Sequence, residues 1–258
     1  MEKFKFSLYD IDQKSFEEMY NAAGSYYMFS DMDVYSRYQK FTADNNVWQL
    51  SRSNVQAALK LMSTYVDYVG PAEAEVFRLR FAYVRIKKHF DKFEEDFGLK
   101  EVLTKRDSSI HYSNVFGGDC LSLAFYLAAS DGQLAVAETE FIEGVVRMGL
   151  TQSMTLELIK DSSMVDEEGR EKYANTALSS LSIALISDKF YTAKPELYQH
   201  SLYGGVNLAS TVMAFYKDFG MGLVGVDGDV SEEEKQDIDK LLKNLEIVSS
   251  AFANQVKS

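Results

Sequence analysis

The sequence predicts an all-α protein, and three observations lead to that fold class. Only two prolines, Pro71 and Pro195, occur in 258 residues, and both stand where a helix is able to begin. The stretches between them are rich in Ala, Leu, Met, Glu and Lys, which favour helix. Apolar residues recur there at three- and four-residue steps, as they do on one face of a helix. Only the alternating segment 4–9 also fits a short strand.

Net charge divides the chain into two halves, which we predict to be two domains. Residues 1–110 carry 16 Lys and Arg against 17 Asp and Glu (net −1), and residues 111–258 carry 11 against 22 (net −11), which together give −12. The polar stretch 101–114 is typical of a linker. We therefore predict an aromatic-rich helical region over 1–110 and an acidic helical domain over 111–258. An acidic domain repels phosphates, so no nucleic-acid partner is expected.

Cysteine usage and hydropathy predict a cytoplasmic protein. The single cysteine, Cys120, has no partner for an internal disulfide, which suits a reducing compartment. No apolar run reaches the ~18 residues that span a bilayer, so no transmembrane segment is expected. Residues 1–6 lack the apolar core of a signal peptide, so none is expected there.

Two capping boxes predict helices in the first region. Ser15 with Glu18, and Ser53 with Gln56, each place a side-chain acceptor at a helix start and a second polar side chain three residues later. The first box predicts a short helix in an aromatic segment. The second predicts a helix that ends at Gly70.

The next predicted helix, over 71–97, has the most regular apolar pattern of the chain. Its apolar residues alternate three- and four-residue steps and so form a heptad seam. They are Val76, Leu79, Tyr83, Ile86, Phe90, Phe93 and Phe97. Gly98 is predicted to end this helix. The short connection before it predicts an antiparallel hairpin with the preceding helix. The seam is also able to pair two copies of the chain, so a homo-oligomer through 71–97 stays open.

Basic side chains lie near this seam and have two interpretations. They are Arg78, Arg80, Arg85, Lys87 and Lys88. As a patch they would bind an acidic protein partner, or the acidic half of the same chain. As separate residues they would form a solvated helix face with no docking role.

The acidic domain is predicted to be helical throughout. Apolar spacing and helix-ending residues place helices near 117–130, 135–149, 152–164, 170–187, 195–203, 206–225 and 231–255. Gly204 and Gly205 are expected to interrupt the chain between two of them. Gly220, Gly222, Gly225 and Gly228 recur at spacings that let two helices approach closely.

Two helix ends in this domain share a pattern 96 positions apart. Asp131 and Asp227 each follow an apolar helix end and precede a glycine. A glutamate, Glu138 or Glu234, stands seven residues after each Asp, and an isoleucine recurs at 142 and 238. Such a repeat predicts two similar helical hairpins that pack against one another as a pseudo-twofold pair.

The repeated acids predict either helix capping or cation binding. Ser231 and Glu234 form a capping box in the second copy. The first copy has Ala135 at the position equivalent to Ser231, and alanine has no side-chain acceptor, so the box is absent there. The presence of Glu138 in the first copy therefore argues that this acid has a role beyond helix capping. Both loops lack the early oxygen ligands of an EF-hand, so a cation would have to be shared between the copies. Carboxylates without His or Cys suit Ca²⁺ or Mg²⁺, and the candidate ligands are Asp131, Glu138, Asp227 and Glu234.

These residues resemble the TerB-like family, which includes tellurite-resistance proteins and the N-terminal part of some membrane-anchored DnaJ-type co-chaperones. The resemblance rests on Leu-Ala-Ala-Ser-Asp-Gly-Gln-Leu at 127–134 and Val-Gly-Val-Asp-Gly-Asp-Val-Ser-Glu-Glu-Glu at 224–234, and it covers about 115–258. It implies an all-helical domain of two pseudo-symmetric halves. It also implies suspected metal ligands at the same four acids, Asp131, Glu138, Asp227 and Glu234.

The resemblance implies a stress-associated, non-enzymatic interaction or adaptor protein with a protein partner. Signals for catalysis are weak, because His89, His111 and His200 lack metal-site spacing and no phosphate-binding loop is present. Cys120 precedes an apolar run and is expected to be a buried, inert thiol. Two alternatives stay open. One is a metal-dependent hydrolase that uses the same four carboxylates, and the other is a structural or oligomerising helical protein.

Overall fold

The computed structural model describes residues 40–54, 57–58, 61, 71–106, 110–128, 135–146, 157, 167–174, 178–194, 197, 207–226 and 232–255. Of these residues 90% are helical and none lies in a strand, so the predicted all-α class is confirmed. Several predictions lie outside the described residues. They are the strand at 4–9, the helix after Ser15, nearly all of the helices at 53–69, 152–164 and 195–203, the break at Gly204, and both Asp-Gly turns.

The helices are numbered here along the chain. Their bounds are α1 Val47–Ser53, α2 Pro71–Asp96, α3 Lys100–Arg106, α4 Tyr112–Ala128, α5 Val136–Val146, α6 Glu167–Ala174, α7 Ser179–Ala193, α8 Leu208–Leu223 and α9 Glu232–Gln255. The chain divides into two compact units, Met1–Arg85 and Ile86–Ser258. This division falls within α2, whereas the sequence analysis placed a boundary at about residue 110. No described helix is both long and apolar enough to cross a membrane.

Helix α2 ends in a glycine motif, at the residue that the sequence indicated. Gly98 has a φ of 66°, a left-handed conformation that favours glycine. The amide of Leu99 donates to the carbonyl of Glu94 at 2.8 Å, and the amide of Gly98 donates to Glu95 at 3.2 Å. These two bonds form a Schellman motif, which satisfies carbonyls that the end of a helix leaves without partners.

The seam of α2 is part of the core of a single chain. Its side chains are buried, apart from the half-buried Phe97. Phe90 packs against Phe116 of α4 with ring centroids 5.8 Å apart, and Phe93 packs against Tyr191 of α7 at 5.9 Å. Pairing of two copies through 71–97 stays a prediction, and it would have to compete with these contacts.

The predicted capping box at Ser53 is wrong. Ser53 closes α1, and its hydroxyl donates to the carbonyl of Leu50 at 3.0 Å. Asn54 supplies the acceptor instead, because its Oδ1 receives the amide of Ala57 at 3.0 Å. The chain before Ser53 is already helical, so the first side chain beyond that helix caps the next one.

Two other segments of the chain are organised differently from the prediction. The stretch 101–114 is largely helical, because α3 extends to Arg106 and α4 begins at Tyr112. The predicted helix 170–187 is two helices, α6 and α7, with the extended residue Leu178 directly before α7. A carboxylate from another helix, Asp119 of α4, accepts the amide of Ser180 and holds the start of α7. Local sequence does not reveal this bond.

The predicted repeat corresponds to two helix pairs, α4 with α5 and α8 with α9. The first helices begin at Tyr112 and Leu208, and the second helices begin at Val136 and Glu232. Equivalent starts are therefore 96 positions apart in both cases. The two helices of each pair contact one another, α4 contacts α8, and each first helix also contacts the second helix of the other pair. Reciprocal contacts of this kind are expected of two related halves.

Burial follows the same register of 96 residues. The first helices share buried positions at Ser113 and Ala209, Phe116 and Val212, Cys120 and Tyr216, Leu123 and Phe219, Ala124 and Gly220, and Leu127 and Leu223. The second helices share Ile142 with Ile238, and Val145 with Leu241. The similarity of the two halves thus extends well beyond the turn residues in which the sequence first shows it.

Helices α4 and α8 approach closely at Gly220. A Cβ atom built at this position would lie 3.3 Å from Cδ1 of Leu127. Beside it, Phe215 stacks on Phe219 with ring centroids 5.7 Å apart, and Phe116 meets Phe215 edge-on at 5.4 Å. This is the close helix approach that the glycine spacing predicted at 220.

Candidate functional site

Glu138 is the one predicted cation ligand whose side chain the structure describes. Asp131 and Asp227 lie outside the described residues, and only the helical backbone of Glu234 is described. Glu138 is buried, with 6% of its surface exposed, and its Oε2 accepts the amide of Ala135 at 2.7 Å. Ala135 directly precedes α5, so this bond is the returning half of a capping box. The Glu138 carboxylate therefore stabilises the start of a helix.

This cap removes the basis for assigning Glu138 a further role. Ala135 lacks a capping side chain, but its amide still needs an acceptor, and Glu138 provides one. The cap uses Oε2 of Glu138, and the role of Glu138 as a cation ligand stays a prediction. In the described part of the chain, no three His, Cys, Asp or Glu side chains are grouped so that they could hold a metal ion. The other three positions of the predicted cation site stay a prediction.

The predicted basic patch is not evenly exposed. Arg85 is buried, with 6% of its surface exposed, and Arg80, Lys87 and Lys88 are half-buried. The guanidinium of Arg80 lies 5.3 Å from the ring centroid of Tyr83. The side chain of the fifth predicted member, Arg78, is not described. Arg85 therefore offers little surface to a partner, and the docking role of these residues stays a prediction.

Sequence reasoning missed a set of buried and half-buried carboxylates that cap helices across the fold. Glu94 near the end of α2 is 1% exposed. Its Oε1 accepts the amide of Tyr112, the first residue of α4, at 2.6 Å, and its Oε2 lies 2.7 Å from Nδ1 of His111. Nε2 of His111 lies 3.1 Å from the hydroxyl of Thr104, which itself donates to the carbonyl of Lys100. His111 therefore links the Glu94 carboxylate at the end of α2 to Thr104 of α3.

Asp188 of α7 caps α8 in the same way. Its two oxygens accept the amides of Leu208 and Ala209 at 2.8 and 2.9 Å. Asn207, directly before α8, accepts the amide of Ser210 at 2.9 Å. Three amides at the start of α8 are thus satisfied by side chains. Burial raises the pKa of Asp188 to about 6, although the bonds from Ala209 and Leu208 act to lower it.

A third carboxylate, Asp119 of α4, holds the start of α7 through a buried chain of hydroxyls. Its Oδ2 accepts both the amide and the hydroxyl of Ser180, at 2.7 and 2.5 Å. The hydroxyl of Tyr216 forms a short hydrogen bond to that of Ser180. Burial raises the pKa of Asp119, while the bonds from Ser180 and Tyr216 lower it. Such a network rigidifies the contact between α4, α7 and α8.

Cys120 lies next to this network and has no access to solvent. It is fully buried, and burial raises the pKa of its thiol well above the ordinary value. Thiol reactivity requires the thiolate and access to it, so Cys120 is inert under ordinary conditions. The structure thus agrees with the expectation of a buried thiol.

Helices α8 and α9 form a shallow groove with a volume of about 170 Å³. Met213, Leu242 and Leu245 supply apolar surface, and Lys217 and Glu246 supply one charge of each sign. Small-molecule pockets usually enclose about 300–1,000 Å³ and most of the ligand surface. This groove is therefore better suited to contact with a protein surface than to holding a small molecule.

An exposed aromatic surface forms where α7 lies beside the end of α2. Phe190 is 46% exposed and packs edge-on against Phe97 with ring centroids 5.1 Å apart. Ile186 lies one turn earlier on α7 and is 41% exposed. The ammonium of Lys194 lies 5.0 Å from the ring centroid of Phe97. Lys189, directly before Phe190, is exposed as well. We call Phe97, Ile186, Lys189, Phe190 and Lys194 the α7 face.

The sequence contained a signal for the α7 face that its analysis did not use. Leu181, Ala184 and Tyr191 form the buried side of α7. At 100° per residue, Ile186 falls on the opposite side of the helix, and Phe190 falls between that side and the buried one. A helix with apolar residues on two sides has either a second buried surface or an exposed one.

A search against protein-family models found no match for the chain, and comparisons with curated proteins and with solved structures also found none.

Proposed function

We propose that the chain is a non-enzymatic interaction protein. It is built on a TerB-like domain over about 115–258 that contains two similar pairs of helices. The observation that carries this proposal is the shared register of the two pairs, in which helix starts and buried positions recur after 96 residues. A duplicated pair with reciprocal contacts is the arrangement that the family resemblance implies. The stress-associated role follows from that resemblance alone.

The positions of the four capping acids support a binding role over a catalytic one. Glu94, Asp119, Glu138 and Asp188 each accept a backbone amide at the start of a helix. A hydrolase that uses carboxylates needs them to converge on a bound ion or a substrate. Carboxylates that already hold helix ends give the fold rigidity, and a rigid fold suits a surface that binds partners.

Capture of partners by the full chain, followed by reconstitution, tests the proposal. Immobilised chain is mixed with extract of its own cells, and a retained protein is purified and mixed with the chain for size-exclusion chromatography. We expect a complex of fixed stoichiometry with at least one such protein. Failure of every retained protein to form a complex would contradict the proposal. So would turnover of phosphoester or peptide substrates that needs added Mg²⁺ or Mn²⁺ and is lost in Asp131→Ala.

The cation component is tested separately by calorimetry. Ca²⁺, Mg²⁺ and Mn²⁺ are titrated into the wild type, into Asp131→Ala and into Glu138→Ala. A shared site over Asp131, Glu138, Asp227 and Glu234 predicts saturable heat that both substitutions reduce. Binding that needs Asp131 but not Glu138 would match the capping role that the structure gives Glu138. Absence of saturable heat would remove the cation from the proposed function.

A further inference from the structure

We propose that the α7 face is the docking site for an acidic amphipathic segment of a protein partner. The segment would place bulky apolar side chains on Phe190 and Ile186, and a carboxylate beside Lys189 or Lys194. This inference rests on the proposed function as an interaction protein. To that function it adds the surface of this chain that binds the partner and the chemistry of the partner segment.

The first argument is that the exposed apolar residues of this face are contiguous. Single exposed apolar side chains are common and need no explanation. Here Ile186 and Phe190 lie one turn apart on α7, and Phe190 is in ring contact with the half-buried Phe97 of α2. The apolar surface therefore continues across two helices, as the centre of a binding patch does.

The second argument is that the central ring is already fixed in position. Phe190 meets Phe97 edge-on with centroids 5.1 Å apart, and it also meets Phe93 edge-on at 6.0 Å. Phe93 is buried and anchors this contact in the core. A partner would therefore lose little side-chain entropy at Phe190 on binding. Preorganised aromatic anchors of this kind contribute most of the affinity at many interfaces.

The third argument is local charge, which fixes the chemistry of the partner. Lys189 and Lys194 are exposed, and neither has an ion-pair partner among the described residues. The nearby acids are engaged, because Asp96 pairs with Lys92 at 2.5 Å and also accepts the hydroxyl of Tyr191 at 2.9 Å.

Glu95, also near the end of α2, pairs with Lys100 at 3.2 Å. Asp188, next to Lys189 on α7, accepts two amides at the start of α8 and is the remaining described acid on this helix near the face. Lys189 and Lys194 together outweigh its charge, so the described residues give this face a small local surplus of positive charge in a chain with a net charge of −12. Complementarity favours an acidic occupant.

Two other occupants fit this face less well. Two copies of a chain with a net charge of −12 repel one another at long range, which disfavours a weak dimer. A membrane surface is bound by clusters of about four to eight basic residues, and the two lysines here fall short of such a cluster. Both occupants are outcomes that the following test distinguishes.

Selection from a random 16-residue peptide library displayed on phage, with the full chain as bait, tests the proposal. We expect enrichment of peptides that combine Phe, Trp or Leu with Asp or Glu. An enriched peptide, synthesised with a fluorescent label, is then measured by anisotropy. We expect Phe190→Ala to weaken binding by about 10-fold or more, as at an interface anchor.

Two further variants keep the result interpretable. Ile247→Ala truncates an apolar side chain that is 58% exposed on α9, and we expect it to leave the affinity unchanged. The double variant with Lys189→Glu and Lys194→Glu alters only exposed side chains, so it should fold even if Phe190→Ala does not. We expect the double variant to abolish most binding of the labelled peptide. We also expect added salt to weaken binding of the peptide to the wild type.

Three results would overturn the proposal. The first is enrichment of basic peptides, or of none. The second is binding that Phe190→Ala and the double lysine variant both leave unchanged. The third is that the wild-type chain forms a concentration-dependent dimer, or binds anionic vesicles, and that Phe190→Ala loses this dimer or this binding. When the second result is obtained with a natural partner complex, it rejects the α7 face and leaves the proposed function intact, whereas absence of any partner would reject the proposed function itself.

Discussion

Glu94 and Asp188 cap equivalent helices of the two halves. Glu94 of α2 accepts the amide of Tyr112, and Asp188 of α7 accepts the amide of Leu208. These amides belong to the first residues of α4 and α8, which are 96 positions apart. A helix outside each pair therefore supplies a carboxylate to its first helix, although α3 lies between α2 and α4 in the chain and the two carboxylates fall two positions outside the register of 96.

The first prediction concerns the cap at α4. Glu94→Ala removes the acceptor of a buried amide and the partner of His111, so we expect the free energy of unfolding to fall by about 2 kcal/mol or more. Urea unfolding measures this change. Glu95→Ala is the matched control, because Glu95 is exposed and makes only a surface ion pair with Lys100. A loss at Glu95 as large as that at Glu94 would contradict the capping role.

The second prediction concerns pH and Asp188. Burial raises the pKa of this carboxyl in the folded protein to about 6, above its ordinary 3.8. The folded state therefore binds the proton more tightly than the unfolded state does. This contribution to stability is present below about pH 4 and is lost as the pH rises through about 6, with an upper bound of ~3 kcal/mol.

Comparison with Asp188→Asn isolates this contribution, because the amide does not titrate. We expect the wild type to lose stability relative to Asp188→Asn between pH 4 and pH 7 in urea unfolding. A difference that stays constant over this range would show that the Asp188 carboxyl is not perturbed in the folded protein.

Local patterns predicted most helices, because short-range physics sets them. The seam of α2, its stop at Gly98, and the starts of α5 and α9 follow from apolar spacing and from residues that begin or end helices. The break before α7 does not follow from local sequence, because the carboxylate that caps α7 is Asp119 on another helix. Helix caps supplied from a distance depend on tertiary structure, and no spacing in one sequence encodes them.

The candidate site was predictable only in part, for a similar reason. The sequence singled out Glu138 but could not show that its carboxylate returns to the amide of Ala135. It also drew attention to basic residues near the seam, although Arg85 proves to be buried. Ile186 and Phe190 were available as a second apolar side of α7. Their exposure becomes evident only when the packing of α7 is known.

The third prediction separates capping from cation binding at Glu138. Glu138→Ala leaves the amide of Ala135 without its acceptor and should cost about 1 kcal/mol in thermal or urea unfolding without added metal. Glu138→Gln keeps an acceptor oxygen and should cost less. Glu140→Ala, a half-buried acid on the same helix, is the control, and we expect a smaller loss there. An effect of Glu138→Ala that appears only when Ca²⁺ or Mg²⁺ is present would contradict the cap.

The fourth prediction concerns the coupling between Asp119 and Ser180. A double-mutant cycle with Asp119→Ala and Ser180→Ala measures their interaction in the free energy of unfolding. We expect each single change to destabilise the chain. We also expect a coupling energy of about 1 kcal/mol or more, because the two side chains share a partly buried hydrogen bond to a charged group. Additive effects would show that the bond contributes nothing measurable.

The fifth prediction uses two glycines as a pair. Neither has any atom within 4 Å of a Cβ built on it, but Gly98 has a φ of 66° whereas Gly118 lies within α4. Gly98→Ala should therefore destabilise the chain by about 1 kcal/mol through backbone strain. Gly118→Ala should stabilise it by roughly 0.5–1 kcal/mol through helix propensity. Effects of the same sign would contradict the conformation described at Gly98.

Native-state hydrogen exchange tests most directly the central claim that the two helix pairs form one body. Leu123 of α4 and Phe219 of α8 occupy equivalent buried positions, 96 residues apart. We predict that their amides exchange only through the same cooperative opening, with free energies equal within about 0.5 kcal/mol. Glu94→Ala, although it acts at the start of α4, should lower both values together. An opening of α8 and α9 at a much lower free energy, with α4 and α5 still protected, would contradict the account.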